Sequence, residues 1–306
     1  MTGGRPRSVN IPDFFIAGAP KCGTTALYEY LRGHPQVFMP RKKEPHFFGT
    51  DLQAPQFVRD PAEYAELFED AQPGQRVGDG SVWTLYSSRA AAEIMAVRPD
   101  AQFIVMLRNP VEMVYSYHAQ RLYNHSEDVA DFEAALRLEG ERREGRSLPA
   151  YVDHTHGLMY SSIARYAEQL ERLYARVPRE RVLVLLYDDF RVRTAGVFAE
   201  VLRFLQVDEG YRPELGVVNA SRTVRSAALF HLLHRPSRPV RRAVSALLPA
   251  PLRHRVRGKL VELNAVERKR PPITPAAAAM LRDAYRGDVR RLGTLLGRDL
   301  AAQWGF

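Results

Sequence analysis

Residues 12–37 read PDFFIAGAPKCGTTALYEYLRGHPQV, and this stretch decides the fold. Its start, Asp13 to Gly18 (DFFIAG), is short and apolar without alternation, the pattern of a strand buried on both faces. APKCG follows as a loop of small residues. TTALYEYLRGH then sets Leu27 and Leu31 four apart on one helical face, and Gly33 and Pro35 end the helix. Strand, tight loop and helix in this order suit a phosphate. Small residues let the backbone approach, and the helix N-terminus offers unpaired N–H groups. Lys21 brings a full charge, and Thr24 and Thr25 bring hydroxyls. Gly18 and Gly23 have the spacing of the nucleotide-triphosphate loop GxxxxGK[ST], but Thr24 stands where its lysine belongs. The same pattern also suits a tight turn carrying a solvated lysine.

A second strand, Gln102 to Leu107, ends in Arg108, and Asn109 and Pro110 cap and open the next helix. An arginine at a strand end beside a helix start can take a second phosphate group, with Ser116 two turns in. Pairing of Arg108 with a surface acid is the plainer alternative. Further on, Tyr64, Leu67 and Phe68 suggest a short helix and Ala90 to Val97 another. GLMYSSIARYAEQLERLYARV (157–177) reads as one long amphipathic helix, with Ile163, Tyr166, Leu170 and Leu173 on one face. RVLVLLYDDF (181–190) reads as a third buried strand, and Thr194 to Leu205 as a helix. Strands separated by helices predict an α/β fold: a P-loop-like central parallel sheet flanked by helices on both faces. Ligands then bind beyond the C-terminal ends of the strands. A core over 11–215, a basic helical and loop extension over 216–274, and a closing helix with its tail over 275–306, packed on the core, are expected within one domain.

The chain has 306 residues, of which 45% are hydrophobic and 26% charged, which excludes a disordered or collagen-like chain. Its single cysteine, Cys22, excludes an internal disulfide and any multi-cysteine metal site. No apolar run of about 18 residues predicts a membrane span. The first residues have no apolar signal-peptide core, so a cytoplasmic location is expected. The net charge is +9, from 44 Lys and Arg against 35 Asp and Glu. Arg222 to Arg270 holds 13 basic and 2 acidic residues, a local +11, against −2 for the rest. Such a segment fits an anionic polymer, a membrane surface or an anionic cofactor and does not by itself imply nucleic acid, which is not an expected partner.

RKKEPHFFG (41–49) sets Glu44 among basic residues, with His46 and an aromatic pair beside it. Phe47 and Phe48 can pin this loop to the core. A carboxylate held there can accept a proton while its basic neighbours bind an anion. A charged surface loop anchored by the two rings is the alternative. Lys42, Lys43 and His46 are expected to hold the pKa of Glu44 low. Cys22, at a helix N-terminus, invites a nucleophile reading, because such a position lowers a thiol pKa. No partner base is fixed to it, and a small loop residue is the expected role.

At these motifs the chain resembles the sulfotransferases that use 3′-phosphoadenosine 5′-phosphosulfate (PAPS). Within them it is most similar to the bacterial enzymes related to the heparan sulfate sulfotransferases. PDFFIAGAPKCGTTALYEYLRGHPQV resembles their 5′-phosphosulfate loop, which implies that Lys21, Cys22, Gly23, Thr24 and Thr25 hold the donor. FIVMLRNPVEMVYSYH (103–118) resembles their 3′-phosphate motif, which implies that role for Arg108 and Ser116. KEPHFF (43–48) resembles the glycan-type motif, which implies Glu44 as catalytic base with His46 supporting the acceptor site. RLYNH (121–125) resembles a stretch near the acceptor cleft. His118, His125 and Ser81 are candidate acceptor contacts, with the two histidines as alternative bases. GDGSVW (78–83) departs from the family pattern, placing Gly80 where a lysine often stands and removing one candidate for stabilising the transferring sulfonate. VNASRTVRS (218–226) is the nearest match to the late loop that closes on the 3′-phosphate, through Arg222 or Arg225.

The implied reaction is attack of an acceptor hydroxyl, or less often an amine, on sulfur, without metal. Adenosine 3′,5′-bisphosphate (PAP) is the leaving group. The implied acceptor is a carbohydrate, a glycolipid or a secondary metabolite. An ATP-dependent phosphotransferase and a non-catalytic polyanion-binding protein are the alternatives from other classes.

Overall fold

Five parallel strands build the centre: β1 (Phe14–Gly18), β2 (Val37–Phe38), β3 (Arg76–Asp79), β4 (Gln102–Leu107) and β5 (Val182–Leu186). Their order is β2-β3-β1-β4-β5. In the computed structural model, residues 11–214, 222–224, 256, 259–260, 265–267 and 271–306 are described. The apolar run of β1 is explained by its place. It lies between β3 and β4, pairing Phe14 with Gly78 and with Gln102, and no residue of β1 contacts solvent appreciably. Connections leave β1 toward β2 and β3 on one side, and β4 and β5 lie on the other. The crevice for a ligand therefore opens at the C-terminal ends of β1 and β4.

The helices are α1 (Thr24–Arg32), α2 (Pro61–Glu66), α3 (Ala90–Val97), α4 (Pro110–Tyr123), α5 (Phe132–Arg137), α6 (Glu139–Arg143), α7 (Tyr160–Ile163), α8 (Tyr166–Tyr174), α9 (Tyr187–Val192), α10 (Thr194–Leu205), α11 (Pro275–Leu296) and α12 (Leu300–Trp304). Leu27 and Leu31 bury the face of α1 that the spacing predicts. Asn109 caps α4, its side chain accepting from the Val111 N–H at 3.0 Å. Thr274 caps α11 through its hydroxyl, which accepts from the Ala277 N–H. The α11 residues Leu281, Tyr285, Val289 and Leu292 are buried, and the Tyr285 hydroxyl donates to the Tyr160 carbonyl at 2.7 Å.

Two elements differ from expectation. The helix expected over 157–177 is broken into a short 3-10 turn (Thr155–Leu158), α7 and α8. One long-range and one local contact satisfy the break. Asp288 on α11 accepts from the Ala167 N–H at the start of α8, and Gln169 donates to the Ile163 carbonyl at the end of α7. The strand expected over 181–190 stops at Leu186, and Tyr187 begins α9.

By contacts, the chain forms two compact units, Met1–Gly216 with Ile273–Phe306, and Val217–Pro272. In the second, β6 (Arg222–Val224) pairs antiparallel with β7 (Ala265–Glu267). Arg222 opens that strand, and Arg225 lies outside the described residues, as does most of the basic segment 222–270. Among the described residues, no helix is long and apolar enough to cross a membrane.

Candidate active site

The loop after β1 is shaped by two glycines. Gly18 has φ 148°, and a Cβ there would lie 2.6 Å from the Val82 carbonyl oxygen. Gly23 has φ 89° and caps α1 without a side chain, and no side chain caps the first turn of that helix from within. No acidic residue stands in that turn either. The helix start therefore keeps the N–H groups and positive end-charge that an anion needs. Thr24 is buried, while Thr25 and Lys21 are half-buried. Lys21 adopts φ 61°.

Cys22 turns the other way. Its side chain is fully buried, with Sγ donating to the Pro20 carbonyl at 3.4 Å. Burial pushes the thiol up to about 12, against weaker lowering by Tyr166 and Arg108. Burial thus outweighs the helix end, the thiol is neutral at pH 7, and the nucleophile reading falls. What Cys22 can offer a ligand is its backbone N–H.

Arg108 donates from Nε and Nη2 to Glu112 Oε2 at 3.1 and 2.8 Å. Its guanidinium also lies over the Tyr187 ring, 4.7 Å from the centroid. The surface acid expected as the plain alternative is therefore present. It holds the guanidinium in one orientation, together with a ring at the end of β5. Ser116 is half-buried in the second turn of α4.

The loop 41–49 is pinned as its aromatic pair suggests. Phe47 stacks on Tyr64 at 4.2 Å, and Phe48 meets Phe15 of β1 edge-on at 5.8 Å. Arg59 clasps the backbone, donating to the His46 and Phe47 carbonyls at 2.7 and 2.6 Å. From below, the Tyr64 hydroxyl donates to Asp79 Oδ2 at 2.7 Å, Asp79 Oδ1 accepts from the Ser81 N–H, and Ser81 Oγ accepts from the His46 N–H at 2.9 Å. Ser81, a candidate acceptor contact, is 4% exposed and serves instead to hold His46. Glu44 and His46 both adopt left-handed backbone, φ 61° and 52°. Of the six non-glycine residues with positive φ among the described residues, Lys21, Glu44, His46 and His125 are all candidate site residues. Such conformations persist where surrounding contacts hold them.

Glu44 Oε1 accepts from Lys43 Nζ at 2.5 Å, and Oε2 lies 3.6 Å from His46 Nε2. Burial raises its pKa, but the nearby His46 ring and the Lys43 charge outweigh that and hold the carboxyl at about 2. Lys42, expected to share this role, pairs with Glu63 at 3.1 Å on the surface. Lys43 also donates to Thr25 Oγ1 at 3.1 Å, which ties the carboxylate loop to the phosphate loop.

His118 goes into the core. Its Nε2 is 2.9 Å from the Val129 carbonyl, and its ring packs between Phe132 and Tyr160. This burial, 2% exposed, removes it as an acceptor contact or base. His125 follows the end of α4 with φ 54°. Arg121 of the same run is 2% exposed and donates to Asp153 Oδ1 at 2.9 Å and to the Ser126 carbonyl at 3.0 Å. Among the described residues, no three His, Cys, Asp or Glu side chains gather as a metal-ligand set.

Two residues that sequence reasoning did not assign to the site stand out. Lys43 was read only as one of the charges that lower the Glu44 pKa, not as a contact of the phosphate loop, and Tyr187 read as part of a strand. No local signal marks the contact of Lys43 with Thr25 or that of Tyr187 with Arg108, since both join residues far apart in the chain.

Comparison with known proteins sets the chain among sulfotransferases. The sulfotransferase domain model matches residues 11–215. Carbohydrate sulfotransferase 15 of Mus musculus is 34% identical over 148 residues, covering 35% of this chain and 26% of that protein. Heparan sulfate glucosamine 3-O-sulfotransferase 3B1 of Mus musculus is 32% identical over 203 residues, covering 65% of this chain and 47% of that protein. The chain thus spans a quarter to a half of the length of these relatives. A sulfotransferase of Alicyclobacillus acidocaldarius superposes with a TM-score of 0.72 at 26% identity, covering 97% of this chain and all of that one.

Proposed function

The chain belongs to the sulfotransferase domain family, and from that premise we propose that it moves the sulfonate of PAPS to a hydroxyl of a carbohydrate acceptor, with Glu44 as general base. The observation that carries this reading is the contact of Lys43 with both Thr25 and Glu44, which sets an ionised carboxylate beside a phosphate-type loop. A glycolipid or secondary metabolite bearing a hydroxyl has the same reacting group. A carbohydrate is preferred because relatives are named for carbohydrate and heparan sulfate.

The residues fit an anionic donor. Lys21, the amides from Cys22 to Thr25 and the open α1 terminus would hold its 5′ side, and Arg108 with Ser116 its 3′-phosphate. PAPS supplies an activated sulfonate on a phosphate leaving group. Glu44 accepts the acceptor proton as the hydroxyl becomes acidic on bonding to sulfur. His46 orients that carboxylate, or the acceptor itself. Lys21 and the loop amides meet the charge that grows on the departing phosphate. The basic segment 222–270 is proposed as a contact for an anionic polymer or membrane surface.

Transfer of labelled sulfonate from PAPS to a panel of oligosaccharides, with simple phenols and amines as controls, tests the reading. Sulfonated sugar with stoichiometric PAP is the expected result. A protein stabilised by ATP and unaffected by PAP would instead be a phosphotransferase, and a salt-sensitive heparin binder without turnover would be a polyanion-binding protein.

A further inference from the structure

Gly80 follows β3 and is closed to any side chain. A Cβ there would lie 2.7 and 2.9 Å from Cδ2 and Cε2 of Tyr28 and 3.6 Å from Cγ of Lys43. The Tyr28 ring thus closes that position, and the stem of Lys43 passes beside it at van der Waals distance. Its side chain is one-fifth exposed, and its ammonium lies 5.9 Å from the centroid of the Tyr28 ring. There it donates to Thr25 Oγ1 at 3.1 Å and to Glu44 Oε1 at 2.5 Å. Of the three consecutive basic residues 41–43, Lys43 alone makes this turn. Lys42 reaches Glu63 on the surface, and Arg41 is exposed.

We propose that Lys43 is a catalytic residue that donates to the sulfonate during transfer, a role that position 80 has no side chain to fill. The inference rests on the sulfotransferase reading above and deepens it. In-line displacement places sulfur between the leaving phosphate oxygen and the attacking oxygen. The phosphate belongs to the loop that carries Thr25, and the attacking oxygen belongs beside Glu44. An ammonium within hydrogen-bond reach of both residues flanks the line between them, where the sulfonate oxygens pass. Two of its three N–H donors are engaged by the protein oxygens, and the third remains for the sulfonate. During the step the S–O bond to the PAP phosphate breaks, with its electron pair leaving on that phosphate. The bond from sulfur to the acceptor oxygen forms, and the acceptor proton passes to Glu44. Lys43 transfers nothing and holds charge in place. A fixed donor of this kind acts without reorganisation at the moment of reaction.

The test compares Lys43→Met, Lys43→Gln and Lys43→Arg with wild type. The readouts are the affinities for PAPS and PAP and the single-turnover conversion of PAPS to PAP, with a heparosan oligosaccharide or water as acceptor. The sulfonate is the only difference between the two nucleotides that Lys43 would read. Lys43→Met and Lys43→Gln are expected to weaken PAPS about tenfold and PAP less than about twofold. Turnover should fall roughly 10²–10³-fold, and Lys43→Arg should restore much of the PAPS affinity. Equal losses for PAPS and PAP would make Lys43 a structural tie, and so would turnover within about threefold of wild type. Lys43→Gln, one carbon shorter, keeps a hydrogen-bonding head group, so the test stands if Lys43→Met does not fold. A wild-type protein that never converts PAPS to PAP refutes the sulfotransferase reading. An active wild type with equally active Lys43 variants refutes only the role of Lys43.

Discussion

The guanidinium of Arg108 lies 4.7 Å from the centre of the Tyr187 ring, and the same ring backs Gly23, where an added Cβ would come 3.1 Å from Cδ2. One side chain thus touches both phosphate-type loops. The first residue of α9 sets the end of β4 against the start of α1.

Tyr187→Leu is therefore expected to lower affinity for PAP, since a cation over an aromatic face is worth about 0.5–2 kcal/mol. Tyr187→Phe keeps the face and should bind PAP as wild type does. Calorimetric titration of the two variants separates the ring from the hydroxyl, and equal losses in both would reject the stacking account.

Arg108→Ala should weaken PAP by more than adenosine 5′-phosphosulfate, because only PAP carries a 3′-phosphate. Loss of a charged hydrogen bond of this kind corresponds to about 1.5–3 kcal/mol. Matched losses for the two nucleotides would assign Arg108 to its pair with Glu112 alone.

Glu44→Gln keeps shape and removes the base. Affinity for PAP should stay near wild type, while turnover falls roughly 10²–10⁴-fold, the usual worth of a positioned base. The carboxyl is held at about 2, below its ordinary 4.5, so the ionised form persists across neutral and mildly acid pH. Any stability from its pairing is present above 4.5 and is lost as pH falls through about 2. A turnover profile that drops between pH 5 and 7 must then report another group, and retention of that drop in Glu44→Gln would verify it.

Glu127 and Arg142 form a fully buried bidentate pair at 2.7 Å, with the Tyr160 hydroxyl donating to the same carboxylate at 2.9 Å. Burial raises the Glu127 pKa, and the Arg142 hydrogen bonds outweigh it, leaving the carboxyl below its usual range. This stabilisation is full above the ordinary carboxylate pKa and is lost as pH falls through the lowered one. Arg142→Met strands a buried charge and should destabilise by about 3–5 kcal/mol. Adding Glu127→Met should recover part of that. Denaturant titration of single and double variants reads both effects.

Cys22, neutral and fully buried, should resist iodoacetamide in the native protein and react at a rate set by opening of the fold. Rapid native alkylation would contradict its burial beneath the loop.

Much of this was legible in the chain. β1, β4 and the starts of α4 and α11 announce themselves because buried parallel strands are continuously apolar and helix caps are local chemistry. Arg108 was legible for the same reason, standing between such signals, and Glu44 because it is the one carboxylate among the basic residues and rings of 41–49. β2 and β3, with two and four residues, carry too little pattern to read. The break between α7 and α8 is satisfied by Asp288, more than a hundred residues away, and no period in 157–177 records it.

The sequence by itself determined which loops face a ligand, since strand, loop and helix follow one another along the chain. Only the tertiary structure decided which side chains meet there. Three basic residues in a row have the same local pattern, and Lys43 differs from Arg41 and Lys42 through Thr25, Tyr28 and the bare backbone of Gly80. His46 likewise owes its place to Ser81, which Asp79 and Tyr64 hold from β3 and α2. Contacts of this kind depend on distances across space, and the order of residues sets those only once the sheet has formed.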